Sequence, residues 1–328
     1  MADLGSGLVK RILVIGAAGM IGRKLVARLA AQGGAELIQH DVVPFEGASA
    51  VSDLSTPGEA EKLIAARPEL IFHLAAVVSG EAEADFEKGY RVNLDGTRQL
   101  FEAIRLAGEG YRPKVVFTSS IAVFGAPFPD AIGDEFLNAP LTSYGTQKAI
   151  GELLLSDYSR RGFFDGIGIR LPTICVRPGK PNKAASGFFS GILREPLAGQ
   201  EAVLPVPETV RHWFASPRAA IGFLLHAAAL DTRRLGDRRN LSMPGLSATV
   251  GEQIEALRRV AGEKAARLIR REPDPAIMRI VEGWPRNFDA RRALELGFRA
   301  DASFDDIIRF HLEDEAQKKS ASPLPARA

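Results

Sequence analysis

Apolar and polar positions divide the chain into alternating strands and helices. An unbroken apolar run at 12–15 fits a strand buried on both faces. Met20, Ile21, Leu25, Val26 and Leu29 follow at the spacing of a helix with one apolar stripe. The alternation continues with strands at 36–40, 70–74, 114–118 and 166–171, and helices at 57–67, 86–106 and 142–161. Such regularity predicts an α/β fold, a Rossmann-type doubly wound parallel sheet. After Leu171 the rhythm changes. Residues 172–200 are rich in Gly, Pro, Lys and Arg around an apolar piece at 188–193, as in a lid or a small second domain. A helix at 216–230 and a short strand at 240–243 return to the sheet, and helices at 250–260 and 304–315 belong to the smaller part. The expected main domain is therefore 1–174, rejoined by about 210–243. Segments 175–209 and 244–328 form a smaller C-terminal, substrate-binding domain, with 316–328 frayed.

The turn between the first strand and helix carries Gly16, Gly19 and Gly22. Free N–H groups at the start of the helix, at Met20 and Ile21, suit a phosphate, and bare glycine lets a pyrophosphate approach them. The strand before and the helix after make this a dinucleotide site rather than an ordinary turn. Asp41 lies 19 residues after Gly22 (41 − 22), at the tip of the second strand. A carboxylate there suits an adenosine ribose and repels a 2′-phosphate, so NAD is the expected cofactor. Asp53, beside Leu54, has two readings, adenine recognition or helix capping ahead of Pro57. Leu74, Ala75 and Ala76 end the third long strand, where small residues let a cofactor lie against the backbone. Asn93 sits inside an apolar-periodic helix, either at the surface or holding backbone or water near the site.

Candidate chemistry gathers at Ser120, Tyr144 and Lys148. Tyr144 and Lys148 are four apart on one helix and share a face. A free phenol, with a pKa near ~10, is a poor base. An ammonium about 4 Å away contributes roughly 4 kcal/mol at an effective dielectric of 20, enough to lower that pKa by up to ~3. Ser120, after the fourth strand, would hold the substrate oxygen beside the phenol while a proton leaves an alcohol.

Composition narrows the partners. Among 328 residues, 42 bases and 40 acids are interspersed, giving a net charge of +2, so neither nucleic acid nor an anionic membrane is expected. Cys175 is the single cysteine, in an apolar run, so no internal disulfide forms and core packing is its expected role. The first residues lack a signal-peptide core, and no apolar run reaches the ~20 residues of a membrane span. A cytoplasmic protein is expected. No His/Cys/Asp cluster has metal-ligand spacing, so no metal is expected.

Four motifs in order, Gly-x-x-Gly-x-x-Gly at 16–22, Leu-Ala-Ala at 74–76, Ser-Ser-Ile-Ala-Val-Phe-Gly at 119–125 and Tyr-Gly-Thr-Gln-Lys at 144–148, resemble the extended short-chain dehydrogenase/reductase family, in its epimerase/dehydratase branch, over most of 11–312. The resemblance implies that Ser120 is the catalytic hydroxyl and that Thr118 and Ser119 line the cofactor side. It implies that Lys148 also touches the nicotinamide ribose, and that the backbone from Pro172 to Ile174 borders the nicotinamide. The chain departs from the sugar-nucleotide members. Their Asn-Val-Tyr-Gly-Pro is replaced within Arg-Leu-Pro-Thr-Ile-Cys-Val-Arg-Pro-Gly at 170–179, and a later Arg-Asp-Phe motif by Arg-His-Trp-Phe-Ala-Ser-Pro-Arg at 211–218. The run at 177–186, with Arg-Glu-Pro-Leu-Ala-Gly at 194–199, resembles instead members that oxidise the C2 hydroxyl of a four-carbon sugar acid with NAD. A small acid needs a cation for its carboxylate, and Arg177, Lys183 and Arg211 are the candidates. Thr173 or Ser186 would bond a hydroxyl. His212 reads as packing or surface, Trp213 and Phe214 as core. Alternatives are a nucleotide-sugar 4-epimerase with tightly held NAD and a non-catalytic NAD-binding regulator. The family also implies a possible homodimer through 86–106 and 142–161.

Overall fold

The computed structural model describes residues 11–179 and 186–321. Its elements run β1 (Arg11–Ile15), α1 (Met20–Gln32), β2 (Glu36–Asp41), β3 (Ala50–Val51), α2 (Glu59–Ile64), β4 (Leu70–His73), α3 (Ser79–Ala84), α4 (Phe86–Gly89), a π-helical turn (Tyr90–Asp95), α5 (Gly96–Leu106), β5 (Lys114–Ser120), α6 (Ser143–Arg160), β6 (Asp165–Leu171) and β7 (Thr173–Ile174). The second half contributes α7 (Gly187–Leu197), β8 (Ala202–Leu204), β9 (Arg211–Ala215), α8 (Pro217–Ala229), β10 (Asn240–Ser242), β11 (Leu246–Thr249) and α9 (Val250–Ala261). It ends with α10 (Glu263–Ala266), β12 (Ile269–Arg271), α11 (Pro275–Glu282), α12 (Arg291–Glu295) and α13 (Phe304–Ala321).

Seven strands form one parallel sheet in the order β3-β2-β1-β4-β5-β6-β10. The strand order reverses between β1 and β4, and open α/β sheets take ligands at the carboxyl ends beside such a switch point. The sheet is buried on both faces, which explains the unbroken apolar strands. Ile12, Val14, Phe72 and Val116 pack with Leu25 of α1 and Phe223 and Leu224 of α8. Leu13, Ile71, Val115 and Phe117 pack on the other side with Leu63 of α2, Leu100 and Phe101 of α5 and Leu155 of α6. The Rossmann-type doubly wound sheet is thus the architecture that the apolar rhythm predicts.

A second apolar core lies beyond β7. Cys175, Val176, Phe189, Ile192, Phe214, Leu257 and Ile308 pack together there, beside the three-stranded β11-β9-β7 sheet and the β12-β8 pair. Cys175 is fully buried and its thiol is pushed up to about 12 by burial, so it packs as expected. Not all of 244–328 joins this core, since Ala293, Leu296 and Phe298 pack under α8 against the main sheet.

Three helix boundaries differ from the periodic pattern. The single helix expected at 86–106 is broken by the π turn, which carries Asn93 inward to a fully buried position. The helix at 57–67 shortens to α2, with Gly58 before it. α13 continues to Ala321 rather than fraying after 315.

Candidate active site

Main-chain geometry builds the first part of the site. Gly16 has φ +90°, and a Cβ there would lie 2.7 Å from the Ala75 amide nitrogen. Only glycine lets the turn after β1 touch the backbone after β4. A Cβ on Gly22 would meet the Gly16 carbonyl oxygen at 2.1 Å, so this glycine seats α1 on the turn. Gly19 precedes α1, makes no side-chain cap, and no acid stands in the first turn. The N–H groups of Met20, Ile21 and Gly22 therefore open toward the carboxyl ends of β1 and β4. Asp41 ends β2, and its Oδ2 accepts from the Ala18 N–H at 2.9 Å. Donors, glycine turn and carboxylate stand together as a dinucleotide requires, so the residues fit NAD.

Beside that turn, Leu74, Ala75 and Ala76 are half-buried and Leu54 is buried. Asn93 is buried, and its Oδ1 accepts from the Val77 N–H at 2.8 Å while its Nδ2 donates to Val77 O at 3.2 Å and Gln147 Oε1 at 2.7 Å. It is not a surface residue; it fixes the backbone that leads away from Ala76. Asp53 does not cap α2. It accepts from the Ser55 amide (2.9 Å) and hydroxyl (2.6 Å) and pairs with Arg91. Burial alone pushes the Asp53 carboxyl up, but those partners outweigh it and hold it below the usual range.

The reacting groups come from β5 and α6. Thr142 caps α6 by accepting from Gly145 N–H at 3.1 Å, which sets Tyr144 in the first turn. Ser120, the last residue of β5, lies near enough to the Tyr144 phenol to lower its pKa, and its Oγ accepts from the Ala122 N–H at 3.2 Å. Lys148 follows one turn later, buried, donating to Thr118 O at 2.9 Å and lying 5.8 Å from the Tyr144 ring centre. The structure therefore brings Ser120, Tyr144 and Lys148 together. It corrects their expected electrostatics. The phenol is pushed up by burial, with Ser120 and the charge of Arg177 opposing, and Lys148 is not among the groups that lower it. Lys148 points its ammonium at a carbonyl, and burial pushes it down to about 8, with Glu152 opposing.

Ser119 is a second correction. Adjacent strand residues point to opposite faces. While Ser120 faces the phenol, Ser119 is buried and donates to Glu152 Oε1 at 2.5 Å. Glu152 in turn forms a fully buried fork with Arg170, at 2.9 and 2.7 Å. Thr118 is likewise buried; it offers Lys148 its carbonyl and donates its hydroxyl to His73 O at 3.0 Å. Glu152, missed in the sequence, continues the Tyr144-Lys148 spacing by four more residues, and that periodicity was its signal.

Pro172 is buried, and the chain leaves the main sheet there to form β7, with Ile174 also buried. Thr173 is half-buried, and its Oγ1 lies 2.7 Å from His212 Nε2. Arg177 donates to Ile174 O at 3.0 Å and to Ser186 Oγ at 2.7 Å. Among the described residues no carboxylate pairs with it. Its charge reaches both the Tyr144 phenol and the His212 ring and lowers the pKa of each. Arg211 does not join this group. It is the first residue of β9, half-buried, bonded to Ser247 O at 3.0 Å and paired with Glu252 at 3.4 Å. Lys183 lies outside the described residues. Trp213 and Phe214 are core, as expected, and His212 is packing, buried against Phe189 with parallel rings 5.2 Å apart. Among the described residues no group of His, Cys, Asp and Glu is placed to hold a metal, and no helix is long and apolar enough to cross a membrane.

Glycine turn, strand-end serine and Tyr-x-x-x-Lys helix on this sheet define an enzyme of the extended short-chain dehydrogenase/reductase type. Comparison agrees: residues 12–229 match the NAD dependent epimerase/dehydratase family, and the chain belongs to it. It is 48% identical to the D-erythronate dehydrogenase of Cupriavidus necator, over 94% of this chain and 99% of that one. It is 41% identical to the D-erythronate dehydrogenase of Haemophilus influenzae, over 92% and 99%. A solved structure of the nucleoside-diphosphate-sugar epimerase from Agrobacterium tumefaciens shares 67% identity and superposes with a TM-score of 0.89, covering 94% of this chain and 95% of that one.

Proposed function

We propose that this protein oxidises D-erythronate at its C2 hydroxyl to 2-dehydro-D-erythronate, with NAD as the cofactor. The observation that carries this reading is Arg177, a guanidinium whose charge reaches the Tyr144 phenol and which has no acidic partner among the described residues. A planar fork of that kind matches a small carboxylate and costs least where no protein acid competes for it. Two relatives named for this activity cover nearly the whole chain, in support.

In this reading Gly16, Gly19, Met20, Ile21 and Gly22 hold the pyrophosphate of NAD and Asp41 its adenosine ribose. Bound NAD supplies the acceptor for the hydride that leaves C2. Arg177, with Ser186, holds the substrate carboxylate. Ser120 donates to the reacting oxygen and Tyr144, as phenolate, takes its proton. Arg177 favours that phenolate by its charge, while Lys148, anchored on Thr118 O, meets the nicotinamide ribose. Thr173 bonds a further hydroxyl. A homodimer accompanies this reading, through 86–106 and α6, where Phe86 and Leu153 are exposed. So does a cytoplasmic location.

A nucleotide-sugar 4-epimerase is the second reading, favoured by the name of the Agrobacterium relative. The two differ in products. D-Erythronate with NAD should yield NADH in proportion to acid consumed. Interconversion of UDP-hexoses without net NADH, and no NADH from D-erythronate, would overturn the first reading.

A further inference from the structure

His212 is a buried titratable side chain bonded to Thr173 that the reaction above does not use. Its Nδ1 lies 2.8 Å from the Pro285 carbonyl oxygen, which only accepts, so Nδ1 carries the proton. Burial, joined by the charge of Arg177 and opposed by the Pro285 bond, pushes the ring down to about 4. It is therefore neutral near pH 7, and its Nε2 is a bare acceptor. The Thr173 hydroxyl, 2.7 Å from Nε2, must donate to it. A hydroxyl has one hydrogen, so the Thr173 oxygen keeps only lone pairs for anything else. Parallel stacking on Phe189, with Trp284 5.3 Å away, prevents the ring from turning to relieve this.

We propose that His212 is a positioning residue that makes Thr173 an obligate acceptor, so the site takes a substrate hydroxyl at Thr173 and turns away a carboxylate or carbonyl oxygen. This rests on the reading of a small hydroxy acid, and deepens it by assigning the acid's orientation. The carboxylate goes to the donors of Arg177 and Ser186. A hydroxyl beyond the reacting carbon goes to Thr173. A flipped acid would set an oxygen with only lone pairs against another and lose its place on both sides.

The test compares D-erythronate with 2-hydroxybutanoate, which lacks the C3 and C4 hydroxyls. Thr173→Val keeps the shape, and His212→Asn keeps a donor for Pro285 but removes the acceptor at Nε2. Each is expected to lower kcat/KM for D-erythronate about tenfold more than for 2-hydroxybutanoate, chiefly through KM. His212→Gln, which carries an oxygen to the place of Nε2, should recover much of the difference. Nitrogen-15 NMR of the wild-type ring should report a protonated Nδ1 and a bare Nε2. Equal losses for both acids, or a protonated Nε2, would overturn the assignment. No NADH from the wild type with either acid would instead contradict the proposed reaction, and the NMR result alone then decides the ring's role.

Discussion

Asp41 and Tyr144 show how single side chains set the chemistry. Asp41 accepts from the Ala18 N–H, which ties the carboxylate to the glycine turn and fixes its negative charge beside the proposed ribose position. A 2′-phosphate brought there meets like charge, worth about 1–3 kcal/mol at partly solvated separations. Asp41→Asn keeps the acceptor and removes the charge. The preference in kcat/KM for NAD over NADP should fall by at least about tenfold. An unchanged ratio measured with both cofactors would remove Asp41 from cofactor choice. Tyr144 carries the opposite lesson. Four-residue spacing correctly pairs it with Lys148, but spacing does not report where an ammonium points. The Lys148 side chain passes over Phe117, 4.9 Å from the ring centre, to reach Thr118 O. Arg177, 33 residues away (177 − 144), is the charge that acts on the phenol instead.

Within elements, the turn between β1 and α1 makes a contrast that two substitutions can read. Gly22→Ala drives a Cβ into the Gly16 carbonyl and the Ala17 backbone, which cannot move aside cheaply. It should destabilise the fold by about 1–3 kcal/mol in urea unfolding. The Cβ of Gly19→Ala has only the Gly16 oxygen near it, at 3.3 Å, and its φ of −66° suits alanine. That variant should unfold near wild type but bind NAD at least about tenfold more weakly by calorimetry, because the methyl stands over the α1 donors. The same loss of stability in both, with NAD affinity unchanged, would refute the assigned division of labour. This turn was legible in the sequence because its requirements are local: a buried strand, bare backbone, an amphipathic helix. Other features depend on residues far along the chain. Arg211 looked like a free cation until β11 and α9 brought Ser247 and Glu252 against it. Ser119 and Ser120 are adjacent letters, and only the extension of β5 to Ser120 sends them to opposite faces. β8 and β12, three residues each, are strands only because Ala202 and Ile269 pair across 67 residues (269 − 202).

At the scale of the whole molecule, the β5–β6 end of the sheet, α6 and the second core meet around the site, and the polar groups buried there tie stability to pH. His212 is held down at about 4 and His73 at about 3, both by burial first. Unfolded imidazoles take up protons below about pH 6.5, while these two in the folded chain do not until much lower. The unfolded state thus binds more protons in that window, so stability rises with pH there and is lost as pH falls from about 6.5 toward 4. For His212 alone the loss approaches about 3 kcal/mol at pH 4. Urea unfolding of wild type and His212→Asn across this range should give a shallower slope for the variant; parallel slopes would show that His212 is not held neutral. The proposed chemistry depends on the place where α6, β5 and the glycine turn converge. Its most direct test is single-turnover NADH formation from D-erythronate by Tyr144→Phe, alongside NAD binding by the same protein. A fall of about a hundredfold or more in the rate, with NAD affinity within about twofold of wild type, is the expected result. Turnover near the wild-type rate would contradict the account, because the proton would then leave by another route.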